Sequence, residues 1–307
     1  MTIPQKIMSH TNARLKLRDA STLILVKEQY NDVLVYLLKR NPKSSFMGGL
    51  YVFPGGVVND TDRESDIWEP FIDMSPRQIK KKFCSSDFSK EEAMASGIAA
   101  IRETLEEAGI LIADPKCVSS EILKRLSKDR FKKNRAPSWF RAEIRLENLI
   151  LAFSKLFPWS HWITPQLVKK RFDTRFYIAR IPDNQHCAVD NFEATDGIWI
   201  SPVTALEKNL DGIIPLSPPT MVTLTQLLKF KTFTHLKTEM KKRTWKSPVS
   251  PRMIFTPEGP VILEPWDPSF NSQEGIDTKN VDRKVLSPGS RFSRIWCDKG
   301  IWKPISS

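Results

Sequence analysis

Hydrophobic and polar positions along the chain first indicate β-structure. Residues 21–27 (STLILVK) and 33–39 (VLVYLLK) are apolar runs rich in β-branched side chains, and the polar segment EQYND separates them. Such a pair predicts two strands joined by a turn. The same pattern predicts a short strand from Leu50 to Phe53 and later strands in SHWITP, TRFYIARI and DGIWIS. A strand pair is also predicted around Pro257-Glu258-Gly259 in MIFTPEGPVILEP.

Helical periodicity is strongest in EEAMASGIAAIRETLEEAG, which ends at Gly109. Glycine adopts left-handed dihedrals readily, so Gly109 predicts the end of this helix. Further helices are predicted at about 119–133, 139–156 and 217–230. The last of them has prolines in its first turn, where a missing N–H group is harmless.

Two stretches lack a clear hydrophobic periodicity, and they help to define the predicted domain boundaries. Residues 57–90 are polar and predicted to be irregular, and residues 266–290 are predicted to be a flexible or surface-hugging linker. We expect a basic N-terminal arm over 1–18 and a main domain over 19–230. The basic remainder, 231–307, is predicted to be a C-terminal extension with a β-hairpin and the flexible segment.

A helical wheel at about 100° per residue separates two faces of the helix that ends at Gly109. The apolar side chains of one face, which we expect in the core, are Met94, Ile98, Ile101, Leu105 and Ala108. The opposite face carries three carboxylates, Glu103, Glu106 and Glu107. One turn earlier that face carries only small residues, Ser96, Ala99 and Ala100. We therefore expect another backbone segment to approach the helix there.

Three carboxylates in the last turn of a helix repel one another and face the negative end of the helix dipole. A divalent cation resolves this conflict, because Mg²⁺ or Mn²⁺ takes oxygen ligands and reverses the local charge. Glu103, Glu106 and Glu107 are therefore predicted to bind a metal ion, with Arg102 holding Glu106 from the other side. The alternative is three ordinary solvated glutamates.

Composition limits the class of protein. The net charge of +12 suggests a polyanionic partner, either nucleic acid or a small phosphorylated molecule. No apolar run approaches the roughly 18 residues that a membrane span needs, and none is predicted. The four cysteines form no C-x-x-C pair, so neither a zinc site nor a disulfide framework is expected.

Residues 102–110 (RETLEEAGI) resemble the second half of the Nudix box, R-E-U-x-E-E-x-G-U, in which U is aliphatic. The residues at its fixed positions are Arg102, Glu103, Glu106, Glu107, Gly109 and Ile110, and Thr104 replaces an aliphatic residue. The first half departs from the pattern, because Phe88 and Met94 stand where it has Gly and Glu. The Gly-Gly that usually leads the box is found at Gly55-Gly56, with some thirty extra residues between.

This interruption resembles the Nudix type 19 branch, the acyl-coenzyme A diphosphatases. The segments LLKRNPKSSFMGGLYVFPGGVV, HWITPQLVKKRFDTRFYIA and GIWISPVTAL carry the same resemblance over about residues 19–230. It implies an α/β fold, the Nudix α/β/α sandwich with a mixed sheet, with an insertion inside the Nudix box and a C-terminal extension. It also implies metal-dependent hydrolysis of coenzyme A or acyl-coenzyme A, yielding adenosine 3′,5′-bisphosphate and (acyl-)4′-phosphopantetheine.

The resemblance further implies a site. Its metal ligands fall on Glu103 and Glu107, with Glu106 adjoining and a carbonyl of Gly55 or Gly56 as a further candidate. A glutamate of the triplet, or Glu193, is the candidate base. Basic residues that could bind substrate phosphates, together with the two glycines, are Arg40, Lys43, Lys169, Lys170, Arg171 and Arg175.

The cellular compartment is less well defined by the sequence than the activity. The resemblance implies an intracellular protein of peroxisomes or mitochondria. The sequence ends Ile305-Ser306-Ser307, which differs from the peroxisomal S-K-L signal. Its first eighteen residues contain four basic side chains and no acid, which resembles a weak mitochondrial presequence, although we expect a plain basic arm.

Two other functions fit the sequence. One is a Nudix hydrolase of another nucleoside diphosphate derivative, such as ADP-ribose, a dinucleotide or an RNA cap. The other is a non-catalytic nucleotide- or RNA-binding module, which the intact glutamates disfavour because a binder has no use for a cluster that costs stability. The basic stretch 229–246 is predicted to be solvated surface, since its aromatic residues are not spaced as a stacking platform. A small-molecule substrate is therefore expected rather than nucleic acid.

Overall fold

The computed structural model describes residues 17–30, 32–132, 134–189, 193–272 and 276–307. Its strands are β1 (Arg18–Gln29), β2 (Asp32–Arg40), β3 (Tyr51–Val52), β4 (Gly55–Val57), β5 (Phe157–Ile163), β6 (Phe172–Arg180), β7 (Ala194–Ile200), β8 (Arg252–Thr256), β9 (Gly259–Leu263), β10 (Arg294–Asp298) and β11 (Ile301–Ile305). Its α-helices are α1 (Ser65–Trp68), α2 (Pro76–Phe83), α3 (Lys90–Ala108), α4 (Ser120–Asp129), α5 (Trp139–Leu146), α6 (Pro202–Leu210), α7 (Pro218–Leu227) and α8 (Phe233–Lys242). Single turns of 3₁₀ helix lie at Asp60–Arg63, Glu69–Phe71 and Phe153–Lys155.

A mixed sheet of strands β1–β7 forms the centre of the molecule. The predicted hairpin is confirmed, because β1 and β2 pair antiparallel next to their turn, from Val26 opposite Val35 to Gln29 opposite Asp32. On its other edge β1 pairs in parallel with β6, and β5 follows β6 antiparallel. The strand order is β3-β2-β1-β6-β5, with β4 paired to β1 and β7 paired to β2.

Strands β1 and β2 separate beyond their turn. The next two strands along the chain, β3 and β4, pair with the separated halves. The far half of β2 pairs with β3, and the far half of β1 pairs with β4, where Ser21 lies opposite Gly56 and Thr22 opposite Gly55. A β-carbon on Gly55 would lie 2.7 Å from the Cα atom of Thr22, so only glycine fits this pairing. We call Gly55-Gly56 the glycine loop. The split sheet therefore brings this loop into the sheet beside β1.

The predicted α/β/α sandwich is confirmed. One face of the sheet packs on the helices α2, α3, α4 and α5 through buried residues that include Leu23, Leu25, Tyr36, Leu38 and Tyr177. The opposite face packs on α6, α7 and α8 through buried residues that include Ile24, Val26, Leu37, Phe176 and Ile178. Alternation of side chains along the strands divides the apolar residues between these two layers.

Helix α3 spans the residues whose periodicity was strongest. Ser89 caps its first turn by accepting a hydrogen bond from the Glu92 N–H, and the Ser89 N–H donates to the Glu92 carboxylate. Gly109 ends the helix with φ of 73°, as predicted. The five apolar residues assigned to its core face are all buried, namely Met94, Ile98, Ile101, Leu105 and Ala108.

Two predictions about local structure were wrong. Residues 57–90 contain α1, α2 and two 3₁₀ turns, and Ile79 and Phe83 of α2 are fully buried. The helix predicted for 139–156 ends at Leu146, and Asn148 follows with φ of 49°. The apolar residues that follow are not helical, and Leu151 forms isolated β-bridges with Ile72 and with Ala113. The apolar residues of this irregular segment are spaced like those of a helix because they are buried in the core.

The C-terminal extension packs onto the main domain. The predicted strand pair is confirmed as β8 and β9, and β10 and β11 complete a four-stranded sheet in the order β11-β10-β9-β8. Side chains of the extension that are buried against the α6–α7 layer include Phe233, Leu236, Met240, Ile262 and Ile295. The described parts of 266–290 contain neither helix nor strand. The division at residue 230 stays a prediction.

Candidate functional site

The glutamate-rich end of α3 meets the glycine loop. The Gly55 N–H donates a hydrogen bond to Glu107 Oε2 at 2.8 Å. A β-carbon on Gly56 would lie 2.5 and 2.6 Å from the two carboxylate oxygens of Glu103. One turn of helix separates these glutamates, so both carboxylates lie against the same two peptide groups. This pair is the centre of the candidate site.

The small residues one turn earlier allow this approach, as predicted. Val58, which follows β4, forms a small buried cluster with Ala95 and Ala99 of α3. The Ser96 hydroxyl lies 2.8 Å from that of Ser21 on β1. Larger side chains at these positions would hold α3 away from β4 and separate the glutamates from the glycine loop.

Burial changes the ionisation of both glutamates. It raises the pKa of Glu103 to about 7, against the opposing effect of the Arg102 charge. It raises the pKa of Glu107 well above its usual range, and the nearby Glu103 carboxylate adds to this rise. The Gly55 N–H and Arg40 favour the charged form of Glu107 but do not offset these effects. Burial is the largest cause of the raised pKa at both positions.

Arg102 is anchored by a residue that the sequence analysis did not identify. Its guanidinium donates to both carboxylate oxygens of Asp62, from Nε at 3.0 and 3.3 Å and from Nη2 at 2.9 Å. Nη2 also donates to the carbonyl of Val57 at 2.8 Å, and Nη1 donates to Glu103 Oε1 at 2.7 Å. Asp62 lies in the segment predicted to be irregular.

Glu106 has different surroundings from the other two glutamates. Its Oε2 lies 3.4 Å from Arg102 Nη1, as the sequence suggested, and its Oε1 lies 3.2 Å from Arg135 Nη1. Among the described residues, no three acidic, His or Cys side chains are grouped closely enough to hold a metal ion by themselves. The structure thus brings Glu103 and Glu107 together at the glycine loop and pairs Glu106 with arginines.

A second unpredicted arginine holds the end of α3 in place. Arg130, at the end of α4, is buried and donates to the carbonyls of Glu106 and Ala188, both at 2.6 Å. The Ala188 N–H in turn donates to the Ala108 carbonyl at 2.9 Å. These bonds attach the segment before β7 to the C-terminus of α3, where orphan carbonyls need donors.

Glu193 lies at the start of β7, beside this attachment. Its charge contributes to the raised pKa of both Glu103 and Glu107, and this contribution is smaller than that of burial. Its carbonyl accepts a hydrogen bond from the Asn41 N–H at 2.8 Å. Residues 190–192 of the segment considered for a base lie outside the described residues.

The predicted substrate residues are divided between two places. Arg40 Nη1 lies 3.9 Å from Glu107 Oε1, and the Arg40 Nε donates to the Phe46 carbonyl at 3.2 Å. Arg40 thus joins the glutamates to the loop 41–50. The Lys43 side chain at the tip of that loop is exposed. Arg175 is buried, and its guanidinium lies 4.0 Å from the ring centre of Phe88.

A second loop, 164–171, lies beside the loop 41–50, and we call the two together the rim loops. Lys170 Nζ donates to Ser45 Oγ at 2.5 Å, and the rings of Phe46 and Phe172 lie 4.9 Å apart. Arg171 donates to the Thr164 carbonyl at 3.1 Å. Lys43, Lys170 and Arg171 therefore all lie on the rim loops, and Arg40 connects these loops to Glu107.

A divalent cation suits this arrangement. Glu103 and Glu107 offer hard oxygen donors, and both have a raised pKa chiefly because burial desolvates their charged forms. A cation between them would favour the ionised form of both. Glu103 and Glu107 are therefore the residues that would hold Mg²⁺ or Mn²⁺, and Glu106 follows Glu103 on the same turn of α3.

Comparison with known proteins agrees with this geometry. Residues 17–227 match the family model of the NUDT19 Nudix domain. The chain is 30% identical to "Acyl-coenzyme A diphosphatase NUDT19" of Xenopus laevis, over 86% of this chain and 80% of that protein. It is 26% identical to the human protein of the same name, over 84% of this chain and 79% of that protein.

A solved structure shares the fold. The crystal structure of a NUDIX hydrolase from Alicyclobacillus acidocaldarius aligns with a TM-score of 0.58 and 22% sequence identity, over 74% of this chain and 97% of that one. Among the described residues, none of the helices is long and apolar enough to cross a membrane.

Proposed function

The chain belongs to the NUDT19 Nudix domain family, and we propose that this Nudix hydrolase cleaves the diphosphate bond of coenzyme A and acyl-coenzyme A. The products are adenosine 3′,5′-bisphosphate and 4′-phosphopantetheine or its acyl thioester. The single observation that carries the proposal is the pair of carboxylates, Glu103 and the buried Glu107, held against the glycine loop. Relatives named as acyl-coenzyme A diphosphatases supply the substrate class.

The residues of the pair meet a chemical need of diphosphate hydrolysis. Water must reach a phosphorus atom that anionic oxygens already surround. Glu103 and Glu107 would hold Mg²⁺ or Mn²⁺, which would supply positive charge to screen the diphosphate and to lower the pKa of the attacking water. The rigid helix α3 and the glycine loop fix the two carboxylates in advance, so little reorganisation is needed when substrate binds.

Glu193 is our candidate for the base. The water oxygen bonds to phosphorus as the bridging P–O bond breaks, and the water proton passes to the Glu193 carboxylate. The charge of Glu193 acts on both glutamates of the pair, which supports this position. Replacing Glu193 with Gln should lower kcat by about 10²-fold or more.

The rim loops are our candidate for the nucleotide end of the substrate. Arg40 connects them to Glu107, and Lys43, Lys170 and Arg171 offer the positive charge that a 3′-phosphate requires. Leu167, at 61% exposure, adds an apolar contact on the same loop. Arg175 is left out of this proposal, because it is buried against aromatic rings.

A substrate panel tests the proposal. Purified protein with Mg²⁺ or Mn²⁺ is assayed against coenzyme A, acyl-coenzyme A, dephospho-coenzyme A, ADP-ribose, NADH and capped RNA, with products resolved. We expect coenzyme A and its thioesters to have the highest kcat/KM, and Glu107→Gln to abolish their cleavage. Preference for RNA, or equal cleavage of coenzyme A and its dephosphorylated form, would rule out this assignment. Binding without cleavage of any substrate would indicate the non-catalytic alternative.

A further inference from the structure

The stretch 229–246, which we call the basic strip, carries positive charge that the described residues leave largely unpaired. It contains seven basic residues and a single acid, Glu239. That acid pairs with Arg243, whose Nε lies 3.0 Å from Glu239 Oε1. The other basic residues are all exposed, and none of them forms an ion pair with another described residue. They are Lys229, Lys231, Lys237, Lys241, Lys242 and Lys246.

A second basic region, at α4 and its C-terminal end, uses its charges differently. Arg125 pairs with Glu143 and with Glu147, its Nη2 lying 2.6 Å from Glu147 Oε1. Arg130 is buried and donates to backbone carbonyls. A high content of basic residues therefore does not by itself leave charge unpaired at the surface. The basic strip differs in directing its lysines to solvent.

The apolar residues of the basic strip face the core. Phe233, Leu236 and Met240 of α8 are buried in the α6–α8 layer. Trp245 packs on Tyr177 on the other face of the sheet, with ring centres 5.1 Å apart. The outer surface is thus made of lysines, without the aromatic rings on which single-stranded nucleic acid stacks. Lysines in such number act as separate point charges, which suit the anionic headgroups of a membrane.

The basic strip runs along the edge of the sheet toward the rim loops. Phe233, near the start of the strip, lies 5.3 Å from the Arg180 guanidinium at the far end of β6. Past the strip, Val249 exchanges backbone hydrogen bonds of 2.7 and 2.9 Å with His161 and Ile163 of the edge strand β5. The rim loop 164–171 begins at the next residue. That loop adds exposed lysines at 169 and 170, together with Leu167 at 61% exposure.

The proposed substrates supply a reason for such a surface. A single fourteen-carbon acyl chain binds a bilayer with a constant of about 10⁴ M⁻¹, so a long-chain acyl-coenzyme A is held at the membrane with its diphosphate in water. We propose that the basic strip docks the protein on an anionic membrane surface, with Leu167 in the headgroup region and the rim loops facing the lipid. Acyl-coenzyme A then reaches the site from the membrane. This use of the surface rests on the proposed function, but the docking does not.

The test measures sedimentation of the full-length protein with vesicles of phosphatidylcholine, alone or with about 30% phosphatidylserine. The strip variant combines Lys237→Gln, Lys241→Gln and Lys242→Gln. The control variant makes the same change in net charge at exposed positions on the α3 side of the sheet, with Lys80→Gln, Lys81→Gln and Lys124→Gln. All three proteins are compared at equal Tm and equal circular dichroism.

We expect the wild type and the control variant to bind the anionic vesicles alike and to bind phosphatidylcholine far less. The partition coefficient of the strip variant should fall about 100-fold, because each lysine near an anionic surface contributes about a fivefold factor. About 0.5 M NaCl should release the wild type. Both variants should cleave water-soluble coenzyme A like the wild type. Only the strip variant should have a kcat/KM at least about tenfold lower for palmitoyl-coenzyme A held in anionic vesicles.

Absence of wild-type binding to anionic vesicles, or an equal fall in both variants, would overturn the docking surface. Tighter binding of the wild type to single-stranded RNA than to vesicles, lost in the strip variant, would assign the strip to nucleic acid and overturn it as well. Unchanged cleavage of vesicle-held palmitoyl-coenzyme A by the strip variant would refute delivery from the membrane. If the wild type cleaves no coenzyme A substrate while the two variants differ in vesicle binding, the proposed function fails and the docking surface stands.

Discussion

Gly56 has no space for a side chain because the Glu103 carboxylate occupies the position of its missing β-carbon. The two oxygens of that carboxylate lie 2.5 and 2.6 Å from where the β-carbon would be. A glycine of the sheet and a glutamate of helix α3 are thus fitted to one another. The geometry of the candidate site depends on the absence of one methyl group.

Alanine substitutions at the two glycines should have different effects. In Gly56→Ala the new methyl group displaces the Glu103 side chain, so kcat should fall by about 10²-fold while the protein stays folded. In Gly55→Ala the methyl group meets the backbone of β1 at Thr22, so the main effect should be a lower Tm. Calorimetry and steady-state kinetics on both variants separate the effects. Equal losses of activity and stability in the two would contradict this account.

Glutamine substitutions at the pair should act oppositely on activity and on metal-free stability. Glu103→Gln and Glu107→Gln should each lower kcat at least about a hundredfold, because each removes a cation ligand. In EDTA the same variants should melt higher than the wild type, since a neutral amide replaces a carboxylate whose burial raises its pKa. Mg²⁺ should raise the Tm of the wild type and not that of the variants.

Glu106→Gln serves as the comparison for this series. Glu106 faces Arg102 and Arg135 and is farther from the glycine loop. We expect it to retain more of the Mg²⁺-induced rise in Tm than either variant of the pair. The same loss in all three would mean that the three glutamates bind the cation together, as the helical spacing alone suggested.

Arg40 should affect substrate binding more than turnover. Its guanidinium joins Glu107 to the Phe46 carbonyl and the Ser44 hydroxyl. Arg40→Lys keeps the charge but loses the fork of donors, so KM for coenzyme A should rise about tenfold with a smaller change in kcat. Lys116→Ala, at an exposed position outside the site, is the matched control. A change confined to kcat would place Arg40 among the reacting groups instead.

Glu264 should make stability depend on pH. It is fully buried after β9, neither carboxylate oxygen has a hydrogen-bond partner in the described part of the chain, and burial raises its pKa to about 8. Its folded pKa therefore exceeds its usual value of 4.5. The stability from the protonated acid is complete below that value and is lost as pH rises through about 8. Glu264→Gln should flatten the fall in Tm between about pH 5 and pH 9.

The control for this prediction is Glu258→Gln, at the exposed turn between β8 and β9. It should retain the pH dependence of the wild type. Superimposable Tm–pH curves for Glu264→Gln and the wild type would show that the carboxyl group has a partner or solvent access in solution.

The C-terminal extension should be required for folding. A chain ending at residue 230 would expose the apolar face that Phe233, Leu236, Ile262 and Ile295 cover. We expect it to be insoluble or to melt well below the full-length protein, which should unfold in a single transition. A soluble 1–230 fragment with unchanged Tm and kcat would instead support an independent domain with the predicted boundary.

Features coded by neighbouring residues could be predicted from the sequence. The β1–β2 hairpin, the core face of α3 and its end at Gly109 depend on periodicity and on local backbone preference, and all are confirmed. The small residues of α3 also predicted a close approach, which β4 makes. The family resemblance is confirmed by the match to the NUDT19 Nudix domain.

Features that depend on distant parts of the chain could not be predicted in the same way. Asp62 lies 40 positions from Arg102, and Arg135 lies 29 positions from Glu106. Nothing in a local pattern gives such pairings. A weak signal existed for Asp62, because Asn59 three positions earlier forms a capping box with it. Arg130 lies in the basic stretch KRLSKDRFKK, whose pattern does not distinguish it from a solvated arginine. The packing of α4 brings its guanidinium to the Glu106 carbonyl of α3.

The hydrogen bond between Gly55 and Glu107 joins residues 52 positions apart and forms only where the central sheet has split and accepted β4. During folding, α3 can form early, because its backbone hydrogen bonds are local, whereas the split sheet must wait for distant segments to meet. Until then the glutamates of α3 are solvated like those of any isolated helix. Capture of the cation should therefore be among the last events of folding, so that an incomplete chain is unable to begin catalysis.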